Sequence, residues 1–150
     1  MSQVFIAYDE YAIEGVDDEF IHFVFDMTIS MADKSAESEM GLIITTNDRI
    51  KDLNFRYRGK DKPTNVLSFA SSEIAKDFVS ADIDANYLGD VYISSAELMR
   101  EAGELGIAPK DRFVQLFVHG VLHLFGFDHE NAKDAEVMES MEDKITAAIL

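Results

Sequence analysis

Residues 119–129 read His119-Gly120-Val121-Leu122-His123-Leu124-Phe125-Gly126-Phe127-Asp128-His129, and they hold three of the four histidines in the chain. His119 and His123 are four residues apart. On a helix they lie one turn apart on one face, where two imidazoles can grip one ion. A continuing helix would carry His129 about 15 Å along the axis, whereas two nitrogens on one tetrahedral zinc sit only about 3.3 Å apart. The chain must therefore leave the helix after His123 and turn back. Gly126 can take the left-handed conformation that such a stop requires. Three nitrogen ligands leave a fourth position open to water, as in catalytic zinc sites. Nickel, copper and iron also accept such a set, so the spacing specifies a metal better than it specifies which one. The bland alternative is an amphipathic helix with hydrogen-bonded rings. It is the reading adopted for His22, which stands alone in an earlier segment.

The spacing matches the HExxHxxGxxH pattern of metzincin zinc proteases, with one departure: Gly120 stands where those proteases carry the glutamate base. Glycine cannot take a proton, which opposes peptide hydrolysis by the usual route. Asp128 and Glu130 flank the third histidine, as ligand-orienting groups or as solvated surface.

The rest of the chain bounds the problem. Its 150 residues favour one domain, residues 1–150, able to bury a substantial core without staples. With 47% hydrophobic residues, 8 Gly and 2 Pro, it is neither disordered nor a repeat linker. Cysteine is absent, so any metal must be held by His, Asp or Glu. Residues 1–11 have no basic region or long apolar run, and no 18 apolar residues run together. No secretory leader or membrane span is expected, and the protein is expected in the cytoplasm. The net charge of −16 repels nucleic acid and acidic membranes at long range and attracts cations and basic proteins.

Strands are predicted at residues 4–8, 40–45, 65–69 and 87–93. Helices are predicted at 17–31, from a cap at Asn47 or Asp48 to about Phe55, from Ser94 or Ser95 to about Leu105, from Pro109 to near Gly126, and at 134–150. The acidic stretch 33–39 is a predicted loop, and Ile74, Phe78 and Val79 are too sparse to assign. Interleaved strands and helices with a helical C-terminal half argue for α+β or mixed α/β.

One segment opposes the acidic background. Residues 49–62 carry Arg49, Lys51, Arg56, Arg58, Lys60 and Lys62 against Asp52 and Asp61, a net +4, leaving −20 on the other 136 residues. Phe55 and Tyr57 interleave, as stacking partners of unpaired bases would. Arginine forks suit phosphate oxygens and charge developing in phosphoryl transfer. A solvated helix end is the alternative, but beside an open metal site the island reads as part of a metal-dependent phosphodiesterase.

These residues together resemble the YbeY family, the bacterial metal-dependent endoribonucleases known as rRNA maturation factors. Residues 119–129 match the family's HGxLHLxGYDH motif, with Phe127 for the usual Tyr. Residues 54–69, from Asn54-Phe55-Arg56-Tyr57-Arg58-Gly59-Lys60 through Pro63-Thr64-Asn65 to Phe69, resemble YRGKDxPTNVLSF, and Leu88-Gly89-Asp90 resembles the LGD strand. Ala70 stands where Pro often follows Ser-Phe.

The resemblance implies an α+β fold: a small mixed four-stranded sheet packed with helices, and a zincin-like metal site at the end of a helix in the C-terminal half. It implies one Zn²⁺ per chain on His119, His123 and His129, and a ribonuclease role for Arg58. It also implies work on the 3′ end of 16S rRNA and in ribosome quality control. The resulting expectation is a zinc-dependent endoribonuclease of single-stranded rRNA. Arg58 and His119 serve catalysis, and Arg56, Lys60 and Lys62 contact substrate. The small ribosomal subunit and basic ribosomal proteins are expected partners; DNA and membranes are not. The alternatives are a non-catalytic assembly factor stapled by its metal, and a degenerate protease.

Overall fold

The computed structural model describes residues 1–71, Glu73 and residues 86–150. The sparse apolar positions Ile74, Phe78 and Val79 lie outside the described residues. Four strands, β1 (Gln3–Tyr8), β2 (Glu39–Thr45), β3 (Val66–Ala70) and β4 (Tyr87–Ser94), form one sheet in the order β1-β2-β4-β3. β1, β2 and β4 run parallel, and β3 is antiparallel to β4 at the edge. The described helices are α1 (Asp18–Met31), α2 (Asn47–Arg58), α3 (Ser95–Leu105), α4 (Pro109–Leu124) and α5 (Ala132–Ile149). The expected α+β class and mixed four-stranded sheet are both present. No described helix is long and apolar enough to cross a membrane.

Strand alternation sorts the side chains onto two faces. Val4, Met40, Leu42, Ile44, Val91 and Ile93 share one core with Ile21, Val24 and Phe25 of α1, Phe113, Phe117 and Val121 of α4, and Met138 and Ile145 of α5. On the other face a smaller cluster joins Ile50 of α2 to Leu67 and Phe69. The sheet is thus held between α4, which carries His119 and His123, and α2, which carries Arg49, Lys51, Arg56 and Arg58 of the basic island.

Helix ends fall where local chemistry puts them. Asp17 caps α1 by accepting the Phe20 N–H, and Ser94 caps α3 by accepting that of Glu97. The cap of α2 corrects the sequence reading: it is Thr46, extended and accepting the Arg49 N–H at 3.1 Å, not Asn47 or Asp48. That helix also runs three residues beyond Phe55, because the Gly59 and Lys60 N–H groups close on the carbonyls of Phe55 and Asn54. Arg58 therefore sits on a helical turn.

Candidate metal centre and cleft

Helix α4 is buried along Phe113, Val114, Phe117, Val118, Val121 and Leu122, which leaves His119 and His123 on its remaining face. Their Nε2 atoms lie 3.1 Å apart, close to the ~3.3 Å between two nitrogens on one tetrahedral zinc. The helix ends at Leu124, and Gly126 takes the left-handed conformation (φ 93°) as its position required. The chain turns back, and the His129 ring comes to 5.1 Å from that of His123 and 6.0 Å from that of His119, centroid to centroid.

Asp128 joins this group. Among the described residues, ligand atoms of His123, Asp128 and His129 lie within 4.8 Å of one another. The Asp128 Oδ1 also accepts the backbone N–H of His129 at 2.7 Å. His123 is common to this set and to the His119 pair. The donors are imidazole nitrogens with one carboxylate and no thiolate, a set that fits zinc and other borderline divalent ions. Burial, with the adjacent His119 and His129, pushes the His123 pKa below its ordinary value. His123 is therefore biased towards the neutral form that ligates metal.

Position 120 faces the sheet and not the cleft. A Cβ there would come within 2.8 Å of Val91 Cγ1 and 3.2 Å of Ser68 Oγ, and the Ser68 hydroxyl donates to the Gly120 carbonyl at 2.9 Å. Glycine lets α4 lie directly on β3 and β4, leaving no room for a protease-type glutamate. His22 is satisfied as a lone structural histidine, with Asp18 O 2.8 Å from Nδ1 and the Val4 N–H donating to Nε2.

The three histidines and part of the basic island share one cleft of about 660 Å³. Arg58, Lys60 and Lys62 line it together with His119, His123 and His129. The Arg58 guanidinium is 4.8 Å from the Phe69 ring centroid, and its Nη2 donates to Ser68 O at 2.9 Å and to Glu73 Oε2 at 3.2 Å. The buried Asn54 holds the neighbouring loop by donating to Lys62 O at 2.8 Å. Arg56 is not brought in. It points into solvent beside Asp52, 3.1 Å away, and does not line the cleft.

Two acidic neighbours escaped the sequence reading. Glu73 sits on Arg58, and Glu142 of α5 accepts from His119 Nδ1 at 2.5 Å. Glu142 is 23 residues from His119, and nothing local separates it from Glu136, Glu139 or Asp143 on the same helix. Only the packing of α5 on α4 reveals it.

Comparison with known proteins gives a consistent result. Residues 8–150 match the family model described as endoribonuclease YbeY. A protein of that name from Rhodospirillum rubrum is 46% identical over 110 residues, covering 73% of this chain and 54% of that protein. The match thus spans about half the length of that relative. One from Syntrophomonas wolfei is 35% identical over 124 residues, covering 81% and 80%, and one from Francisella tularensis subsp. novicida is 39% identical over 121, covering 79% and 74%. The solution structure of TM1509 from Thermotoga maritima superposes with a TM-score of 0.61 over 97% of this chain and 88% of that one, at 24% identity, which speaks to the fold.

Proposed function

The chain belongs to the endoribonuclease YbeY family, and from that premise we propose that it is a zinc-dependent endoribonuclease of single-stranded rRNA. The finer assignments, 16S rRNA 3′-end maturation and ribosome quality control, belong to the same proposal, as do the cytoplasm and the small subunit as its setting. The observation that carries it is the shared cleft: two histidine nitrogens at metal-ligand separation stand opposite an arginine on one surface.

His119, His123 and His129 would hold the ion. A divalent metal in this position supplies Lewis acidity and lowers the pKa of water. Arg58 binds the scissile phosphate through its fork and offsets the charge that grows on it. Lys60 and Lys62 hold the flanking backbone as point charges. A contact from Arg56 requires RNA that continues past α2. The −16 charge opposes tight unaided RNA binding, so delivery by the ribosome, or by a basic ribosomal protein on the acidic surface, belongs to the proposal.

One observation favours the metal-stapled assembly factor as a second reading: Asp128 lies beside His123 and His129. As a fourth ligand it would close the open position. The test is cleavage of end-labelled small-subunit rRNA fragments by zinc-quantified wild type, His123→Ala and Asp128→Asn. The nuclease reading expects cleavage by wild type, none by His123→Ala, and full zinc content in Asp128→Asn. Equal cleavage by wild type and His123→Ala would sink it. Loss of zinc in Asp128→Asn, with no cleavage by wild type, would favour the staple.

A further inference from the structure

The first histidine of the cleft, His119, has its back to a carboxylate. Glu142 Oε1 lies 2.5 Å from Nδ1 of His119, and both side chains are largely buried, 23% and 30% exposed. A carboxylate only accepts, so the ring proton of His119 resides on Nδ1. The Nε2 atom then carries a lone pair, and it is this atom that lies 3.1 Å from His123 Nε2. Each helix holds its end of the contact: α4 through its buried face on the sheet, α5 through Met138 and Ile145. The Thr146 hydroxyl donates to the Glu142 carbonyl at 2.8 Å, one turn along α5.

We propose that Glu142 is a positioning residue: through the Nδ1 proton it fixes the tautomer and ring plane of His119, so that Nε2 is presented to the metal before the metal arrives. The inference rests on the metal reading above but makes its own demand on the metal-free protein. Carboxylate partners of ligating histidines commonly govern metal affinity by about 10–100-fold. The amide oxygen of glutamine still accepts from Nδ1–H, whereas alanine leaves the ring free to turn and to exchange its proton.

The test has two readouts on wild type, Glu142→Gln and Glu142→Ala. Nitrogen-15 NMR of the metal-free proteins reports the His119 tautomer, and zinc titration against a chelating dye reports affinity. Expected are the Nδ1–H tautomer in wild type and Glu142→Gln, its loss in Glu142→Ala, zinc binding about 10–100-fold weaker in Glu142→Ala, and most of that loss recovered in Glu142→Gln. An Nε2–H tautomer in wild type would overturn the proposal. So would unchanged zinc affinity in Glu142→Ala, or an equal loss in both variants tracking lowered melting temperatures. Failure of the metal reading looks different: His123→Ala would bind zinc as wild type does, while the metal-free tautomer is read independently.

Discussion

The Ser68 hydroxyl donates to the main-chain carbonyl of Gly120 at 2.9 Å, tying strand β3 to helix α4 at the residue after His119. The basic wall of the cleft and the histidine wall are therefore joined through the sheet, and their spacing is inherited from core packing.

Gly120→Ala tests that junction. Alanine gains up to about 1 kcal/mol in helix propensity. Its methyl group, however, meets the buried Val91 and costs about 1–3 kcal/mol in overpacking. A net loss of up to about 2 kcal/mol is expected, with a melting point lower by about 2–4 °C per kcal/mol. Gly120→Glu, which forces a carboxylate against Val91, should fall further and gain no protease activity. Calorimetry and a casein assay check the pair.

Arg58→Ala should retain zinc at wild-type stoichiometry and lose cleavage by about 10²–10³-fold, the usual cost of one transition-state donor. Metal analysis beside single-turnover cleavage separates the two effects. Wild-type cleavage by this variant would remove Arg58 from the phosphate.

Glu73 lies 3.2 Å from Nη2 of Arg58, so with Arg58 in the proposed phosphate-binding role it would compete with substrate for the same guanidinium. Both groups are partly exposed, so the pair is worth no more than about 1 kcal/mol, or about fivefold in affinity. Glu73→Gln should lower KM for RNA by up to that factor with kcat nearly unchanged. A rise in KM would mean that Glu73 holds Arg58 in place and does not compete for it.

Asn54→Ala removes the bond to the Lys62 carbonyl and costs about 1 kcal/mol. The loop carrying Lys60 and Lys62 loosens, so KM should rise. Urea unfolding and steady-state kinetics measure the two consequences.

Acid should destabilise the metal-free protein through His123. Burial holds its folded pKa below the ordinary 6.5, so the unfolded chain binds the proton first. The contribution is complete above pH ~6.5 and is lost as the pH falls through the folded value. His123→Gln should flatten stability over that window. Urea midpoints at stepped pH values, with a chelator present, decide the matter.

Much of this arrangement was legible in the chain. Local signals sufficed where one residue fixes one conformation: Pro109 opens α4, Gly126 stops the helix after His123, and alternation marks the strands. The α2 cap falls one or two residues before the expected Asn47 or Asp48 because Thr46, Asn47 and Asp48 are all competent caps, and only backbone conformation chooses among them. Arg58 and Lys62 were recognisable from charge density, yet the same density implicated Arg56, which the helix turns away from the cleft. Glu142 and Glu73 were invisible because their significance lies in tertiary partners. Position 120 told half its story in sequence, the absence of a base. The other half, the absence of space, needed Val91.

Strand β3 lies at the margin of the sheet. Ser94 N–H donates to Asn65 O, and the alternation of antiparallel pairing then turns the Ser68 carbonyl outward, away from β4. Arg58 occupies that carbonyl. The side chain proposed to bind phosphate thus also covers a main-chain acceptor on a strand that, among the described residues, has no outer neighbour in the sheet. Bare strand margins are templates on which neighbouring chains add and aggregate. One guanidinium therefore serves both the strand margin and the cleft, and removing it uncovers the Ser68 carbonyl as well as altering that wall of the cleft.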